Sequence, residues 1–204
     1  AATRERVGAR VAAALSRLRY EGAGTVEFLR APDGDLYFME MNTRLQVEHP
    51  VTEAVTGFDL VEHQFRIAAG EPLAFAQDDV GWTGHAIEAR INAEDPAQDF
   101  RPAPGRIERF EFPADLGPGS LRLDTHVSAP MDVPPFYDSL VAKAIAHAAD
   151  RSAAIDTLSR CLAAARIDGV PTTIPTHLAG LNDGRFRRGA YDTGLVAALG
   201  AREE

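Results

Sequence analysis

The chain has 204 residues, 45% of them hydrophobic and 25% charged, with a formal net charge of −9. That is an ordinary globular composition, long enough for one large domain or two small ones, and its acidity without any Lys/Arg tract excludes a nucleic-acid binder. No apolar run is long enough for a membrane span, the start lacks a signal-peptide pattern, and one cysteine, Cys161, leaves no intramolecular disulfide, so a cytoplasmic protein is expected. The chain opens Ala1-Ala2-Thr3-Arg4 without methionine and enters directly into a helical pattern, which reads as a piece of a longer polypeptide.

Val7, Val11, Ala14, Leu15 and Leu18 recur at helical spacing over residues 3–19, and Gly22 and Gly24 are expected to end that helix. Thr25 to Leu29 alternate as a strand, Pro32-Asp33-Gly34 is a turn, and Leu36 to Asn42 form a second strand. With Asp33-Gly34 as a two-residue turn, partner numbers sum to 67 and Glu27 falls opposite Glu40. Like charges across a hairpin destabilise it unless a divalent cation lies between them.

Residues 40–50, Glu-Met-Asn-Thr-Arg-Leu-Gln-Val-Glu-His-Pro, are the most informative stretch of the chain. Glu40, Asn42, Arg44, Gln46 and Glu48 share one parity, so an extended backbone sets all five on one face. Such a face is costly to bury unless a metal ion and an anionic substrate neutralise it. His49 precedes Pro50 and is expected to be extended and structural. A helix follows from about Asp59 to Ala69, with Asp59 as N-cap, Glu62 in the capping box, and His63 as a surface or packing residue.

After Trp82 short strands are expected at 84–92, 105–112 and 121–127, punctuated by prolines. Residues 139–148, 151–166, 172–181 and 193–199 read as helical. Cys161 lies beside the Ile155, Leu158, Leu162, Ala165 stripe and is expected to be a small core residue. The expected fold class is α+β, with one domain over residues 1–75 and a small, mostly-β domain with helices over 76–204.

Four segments carry a family resemblance. Gly22-Ala23-Gly24-Thr25-Val26-Glu27-Phe28-Leu29, the run Glu40 to Pro50, and Glu88-Ala89-Arg90-Ile91-Asn92-Ala93-Glu94-Asp95-Pro96 resemble biotin carboxylase, as does Val133-Pro134-Pro135-Phe136-Tyr137-Asp138-Ser139. The family is the biotin-carboxylating component of acyl-CoA carboxylases and of pyruvate carboxylase. The resemblance runs from about residue 5 to about 195. It implies the last part of an ATP-grasp domain followed by the biotin carboxylase C-terminal domain. The family's N-terminal domain, Gly-rich lid and phosphate-binding lysines lie ahead of the matched stretch.

The resemblance also implies roles. Glu27 and Glu40, with Asn42, would hold Mg²⁺ or Mn²⁺ on the phosphates of ATP. Arg44, Gln46 and the backbone N–H of Val47 would cradle bicarbonate, and Glu48 would be the general base. Arg90 would stabilise the biotin anion. Leu29 and Ile167 would wall the adenine, and Asp138 would orient an arginine such as Arg90 or else cap a turn. The implied partners are a biotin carboxyl carrier protein or domain and a carboxyltransferase, as in fatty acid biosynthesis. A homodimer through a stretch that includes Leu116 and Arg122 is a further expectation. The alternatives are another ATP-grasp ligase, which the Arg44 to Glu48 segment and Arg90 argue against, or a non-catalytic binding or assembly module. The isolated fragment is expected to be inactive.

Overall fold

In the computed structural model, which describes residues 2–114 and 119–200, the first stripe forms helix α1 (Ala2–Leu18). Arg19 then takes a left-handed φ of 51°, three residues before Gly22. The chain divides into two units, Ala1–Gly81 and Trp82–Glu204; the sequence reading drew its boundary between 75 and 76.

In the first unit, β1 (Thr25–Arg30) pairs antiparallel with β2 (Leu36–Asn42). The turn has three residues, where the sequence suggested two. The Gly34 N–H donates to the Ala31 carbonyl at 2.9 Å and the Ala31 N–H to the Asp35 carbonyl at 2.8 Å. Pro32 and Asp33 thus fill a type I turn, and Gly34 follows at φ 94°, a conformation that costs glycine little. Near the turn, partner numbers therefore sum to 66, from Arg30↔Leu36 to Phe28↔Phe38. A bulge beside Phe28 leaves Met39 as the extra residue, and from Glu27↔Glu40 to Thr25↔Asn42 the sum is 67. The expected opposition of Glu27 and Glu40 holds because turn and bulge offset each other.

Two helices complete this unit, α2 (His49–Thr56) and α3 (Leu60–Ala68). The sequence reading missed α2 and expected His49 to be extended. Pro50 sits in the first turn, where a missing N–H costs nothing, and Gly57 closes the helix in a left-handed conformation. Asp59 caps α3 as expected, accepting from the Glu62 N–H at 2.7 Å. The Glu53 carboxylate accepts from the Leu60 N–H at 2.7 Å, tying α2 to the start of α3. His63 packs edge-on against Phe75, which stacks on Phe58.

The second unit begins with β3 (His85–Asn92), then short strands β4 (Glu94–Asp95), β5 (Arg101–Pro102), β6 (Gly105–Ile107) and β7 (Arg109–Glu111), and continues through β8 (Ser120–Thr125), β9 (Met131–Val133) and β10 (Leu140–Ala148). Helix α4 (Arg151–Ala164), strand β11 (Arg166–Asp168) and helices α5 (Ile174–Asn182), α6 (Gly184–Arg188) and α7 (Leu195–Gly200) follow. The main sheet has the order β3-β10-β8, all antiparallel. Strands β4–β5, β6–β9 and β7–β11 form three separate two-stranded ladders.

Strand β10 corrects the helix expected at 139–148. Leu-Val-Ala-Lys-Ala-Ile-Ala-His-Ala reads as helical because alanine favours helices and the polar residues are few. A central strand buried on both faces loses the alternation that betrays an edge strand. Ala142, Ala144 and Ala146 stand level with Ile91, Ala89 and Ile87 of β3. These small side chains let α4 lie close, through Ile155, Leu158, Cys161 and Leu162, all at most 1% exposed. Burial pushes the Cys161 thiol up to about 11, which keeps it an unreactive core residue, as expected. On the opposite sheet face, Arg90, Lys143 and Asp124 form one cross-strand row and Glu88, Ile145 and Arg122 the next.

Candidate active site

The first unit gathers five polar side chains around the end of its hairpin. The Asn42 Nδ2 donates to Glu27 Oε1 at 2.8 Å and to Glu40 Oε1 at 3.1 Å. The Gln46 Nε2 donates to the same Glu27 oxygen at 3.2 Å, and the Arg44 Nη1 to Gln46 Oε1 at 2.8 Å. Arg44 is further fixed by the Leu45 carbonyl at 3.0 Å. One chain of bonds therefore runs Arg44–Gln46–Glu27–Asn42–Glu40.

The route differs from the single extended face expected. Regular strand ends at Asn42, residues 43 and 44 bend, and Val47 and Glu48 lie in a turn. Only Glu40 and Asn42 are neighbours by strand parity; Arg44 and Gln46 return to the cluster because the backbone bends. Glu48 is the N-cap residue of α2, at φ −83° and ψ 12°. It therefore sits at the positive end of a helix dipole, where negative charge is favoured. His49 braces the turn through Nδ1 and its own N–H, both on the Gln46 carbonyl, at 2.8 and 3.2 Å. Leu29 lies on β1 and is 61% exposed.

Among the described residues no three His, Cys, Asp or Glu side chains converge as a metal cage. The donor set on the hairpin is two carboxylates in cross-strand register with an amide between them. In this structure an N–H donor satisfies both acids. Hard oxygen ligands of this kind suit a divalent cation that keeps its other positions for water and phosphate oxygen. The residues fit Mg²⁺ or Mn²⁺.

In the second unit, Arg90 lies on β3 opposite Lys143. Its backbone carbonyl accepts from His177 Nε2 at 2.7 Å and from Thr173 Oγ1 at 3.1 Å. Two residues on, Asn92 Nδ2 donates to Glu94 Oε1 at 3.0 Å and to Ser139 Oγ at 3.1 Å, and Ser139 Oγ donates to the same Glu94 oxygen. Two of the resembling segments are thus tied together at the end of β3. Asp138 accepts from the Leu140 N–H at 2.8 Å and starts β10, the turn role weighed for it in the sequence. Ile167 lies on β11, opposite Phe110, and packs against the core. Arg122 forks onto both oxygens of Asp124, at 2.7 and 2.8 Å; Leu116 lies outside the described residues. Thr173 and His177 were not foreseen, because their bonds to Arg90 span more than eighty residues and follow no local pattern.

Residues 88–198 match the biotin carboxylase C-terminal domain, and residues 1–76 match the carbamoyl-phosphate synthase L chain ATP-binding domain. The chain belongs to the biotin carboxylase family. It is 51% identical over 196 residues to biotin carboxylase of Nostoc sp., and 48% identical over 186 residues to biotin carboxylase of Haemophilus influenzae. These matches cover 96% and 91% of the chain but 43% and 40% of the two relatives, so the chain spans about two fifths of their length. Among solved structures it is similar to the biotin carboxylase domain dimer of Hydrogenobacter thermophilus 2-oxoglutarate carboxylase, solved with MgADP, ADP and bicarbonate. That match has a TM-score of 0.93 and 42% identity, covering 99% of this chain and 44% of that one. Rhizobium etli pyruvate carboxylase matches with a TM-score of 0.91 and 34% identity, covering 100% and 21% of the two chains. The α+β expectation agrees with these structures.

Proposed function

We propose that this chain carries the metal-binding, bicarbonate-binding and biotin-facing groups of a protein that carboxylates biotin with ATP and bicarbonate. The observation that carries this reading is the bonded chain from Arg44 to Glu40, which joins a cation-ready pair of acids to an anion-ready arginine. Glu27 and Glu40, with Asn42, hold Mg²⁺ or Mn²⁺, which when bound neutralises the charge on the transferring phosphoryl group. Arg44 presents a planar fork to a small carboxylate-like anion such as bicarbonate, held in orientation by Gln46. The Val47 N–H completes that cradle. Glu48 takes the bicarbonate proton so that the freed oxygen attacks the γ-phosphorus of ATP, and the bond to ADP breaks as ADP leaves. Arg90 stabilises the anion left when biotin's ureido nitrogen loses its proton. Leu29, exposed on β1, supplies an apolar wall for the adenine ring.

The partners that follow are a biotin carrier protein or domain, a carboxyltransferase that takes the carboxyl group onward, and a second copy of the chain. The match over residues 88–198 favours this reading over a ligase with another acceptor. The test is calorimetric titration of MgADP, then bicarbonate, into this chain and into Glu40→Gln. Metal-dependent binding that disappears in the variant is expected. Equal binding by both proteins would overturn the assignment of Glu40. The same preparation is expected to show no biotin-dependent ATP turnover by itself, since it spans about two fifths of its relatives.

A further inference from the structure

We infer that His177, with Thr173, is a positioning residue for the biotin carboxylation step, holding the main chain of Arg90 through its carbonyl oxygen. The inference rests on the reading of Arg90 above and deepens it.

Strand β3 is an edge strand, with β10 on one side only. Its outward backbone groups at Arg90 and Asn92 need partners, because an unpaired edge is free to twist or slide. The start of α5 supplies them. Thr173 Oγ1 donates to the Arg90 carbonyl and accepts from the Asn92 N–H, each at 3.1 Å. The Thr173 N–H donates to the Asn92 carbonyl at 3.2 Å. One buried residue, 7% exposed, thus imitates a neighbouring strand across a single bridge.

Thr173 alone would pair the edge. His177 adds a second donor on the same carbonyl and the shorter bond, 2.7 Å. A carbonyl only accepts, so Nε2 carries the hydrogen. Burial pushes the imidazole below its ordinary pKa, against the opposing effect of that bond, and so favours the neutral Nε2–H form. Two donors on one oxygen fix the plane of the peptide that follows Arg90. That plane sets the direction of the Arg90 Cα–Cβ bond, and with it where the guanidinium reaches. Pro175 in the first turn of α5 stiffens the helix that presents both donors.

The experiment compares His177→Leu, His177→Gln and Arg90→Lys in the full-length protein. It measures ATP turnover with bicarbonate alone and with added free biotin, and records thermal unfolding beside both. Glutamine offers an amide N–H at the reach of Nε2; leucine offers none. We expect His177→Leu to lower kcat/KM for biotin about tenfold, as small misplacements of a catalytic group do, and to leave turnover with bicarbonate alone unchanged. His177→Gln should recover most of the loss. If His177→Leu keeps normal biotin kinetics while Arg90→Lys does not, the positioning role is wrong and the reading of Arg90 survives. If Arg90→Lys keeps normal biotin kinetics, both fall. If both turnovers drop together in His177→Leu with no recovery in His177→Gln, the residue is merely structural and the inference is overturned. Should His177→Leu unfold, Thr173→Val, which removes the other donor with little change of shape, is judged by the same split.

Discussion

Within the acidic cluster, one Asn42 nitrogen donates to both carboxylates at once. An aspartate there would stack a third negative charge on a cross-strand pair that is already repulsive. Asparagine instead lends a donor to both acids. A different balance holds at Asp183, whose side chain is 2% exposed. Its two oxygens accept from the Arg185 N–H, Nε and Nη2 at 2.7, 3.0 and 3.0 Å. The Arg185 guanidinium holds the Asp183 carboxyl well below the usual carboxylate range, although burial pushes the other way. A depressed carboxylate contributes stability that is fully present above its unfolded pKa, near pH 4, and is lost as pH falls toward the folded value. Asp183→Asn should therefore be less stable than the wild type at pH 7, with the gap narrowing below pH 4. Urea denaturation at pH 7 and pH 3 reads this directly, and a gap that stays constant would sink the idea.

Helices and strands differ in how plainly the sequence announced them. Helices α1, α3 and α4 have stripes at regular spacing, and α3 carries its cap in the sequence, so they were legible. So was the Glu27↔Glu40 pairing, though by a compensation: the three-residue turn moves the register by one, and Met39 bulges out and moves it back. Helix α2 was missed because it has only eight residues and its start signal is a proline. Strand β10 was misread because a strand walled by β3, β8 and α4 needs no polar alternation. The bonds from α5 to Arg90 are tertiary, and no spacing encodes them. Of the candidate site, the residue types were legible and the bend that returns Arg44 and Gln46 to Glu27 was not. At this scale α4 offers a clean test, since Asp150 caps it by accepting from the Ala153 N–H at 2.9 Å. Asp150→Ala should cost about 1 kcal/mol, the usual penalty for an uncapped helix end. A shift in the urea midpoint at unchanged slope would show it, and a loss below ~0.3 kcal/mol would mean that water replaces the cap at no cost.

Taken whole, the molecule concentrates its apolar burial in one place. The continuous core of Ala89, Ile91, Ile107, Val141, Ile155, Leu158 and Leu162 belongs to the second unit, each of these at most 2% exposed. Among the described residues of the first unit, Pro50 and Val55 are the buried apolar side chains, while Phe38, Phe65 and Leu29 are 65%, 74% and 61% exposed. Burial of apolar surface is the main favourable contribution to folding, at about 25 cal/mol per Å². The two units therefore differ in local stability, and the hairpin with the acidic cluster stands on the weaker one. That placement suits a site whose ligands must bring binding energy, because anything that binds the folded form alone stabilises it by mass action. Native-state hydrogen exchange should find the amides of β10 and α4 protected at least ~100-fold more than those of β1 and β2. Mg²⁺ with ADP should raise protection in β1 and β2 and leave β10 and α4 unchanged. Equal protection in the two regions before addition would mean that the hairpin is held by more than its own packing, and a rise confined to β10 would place the nucleotide elsewhere.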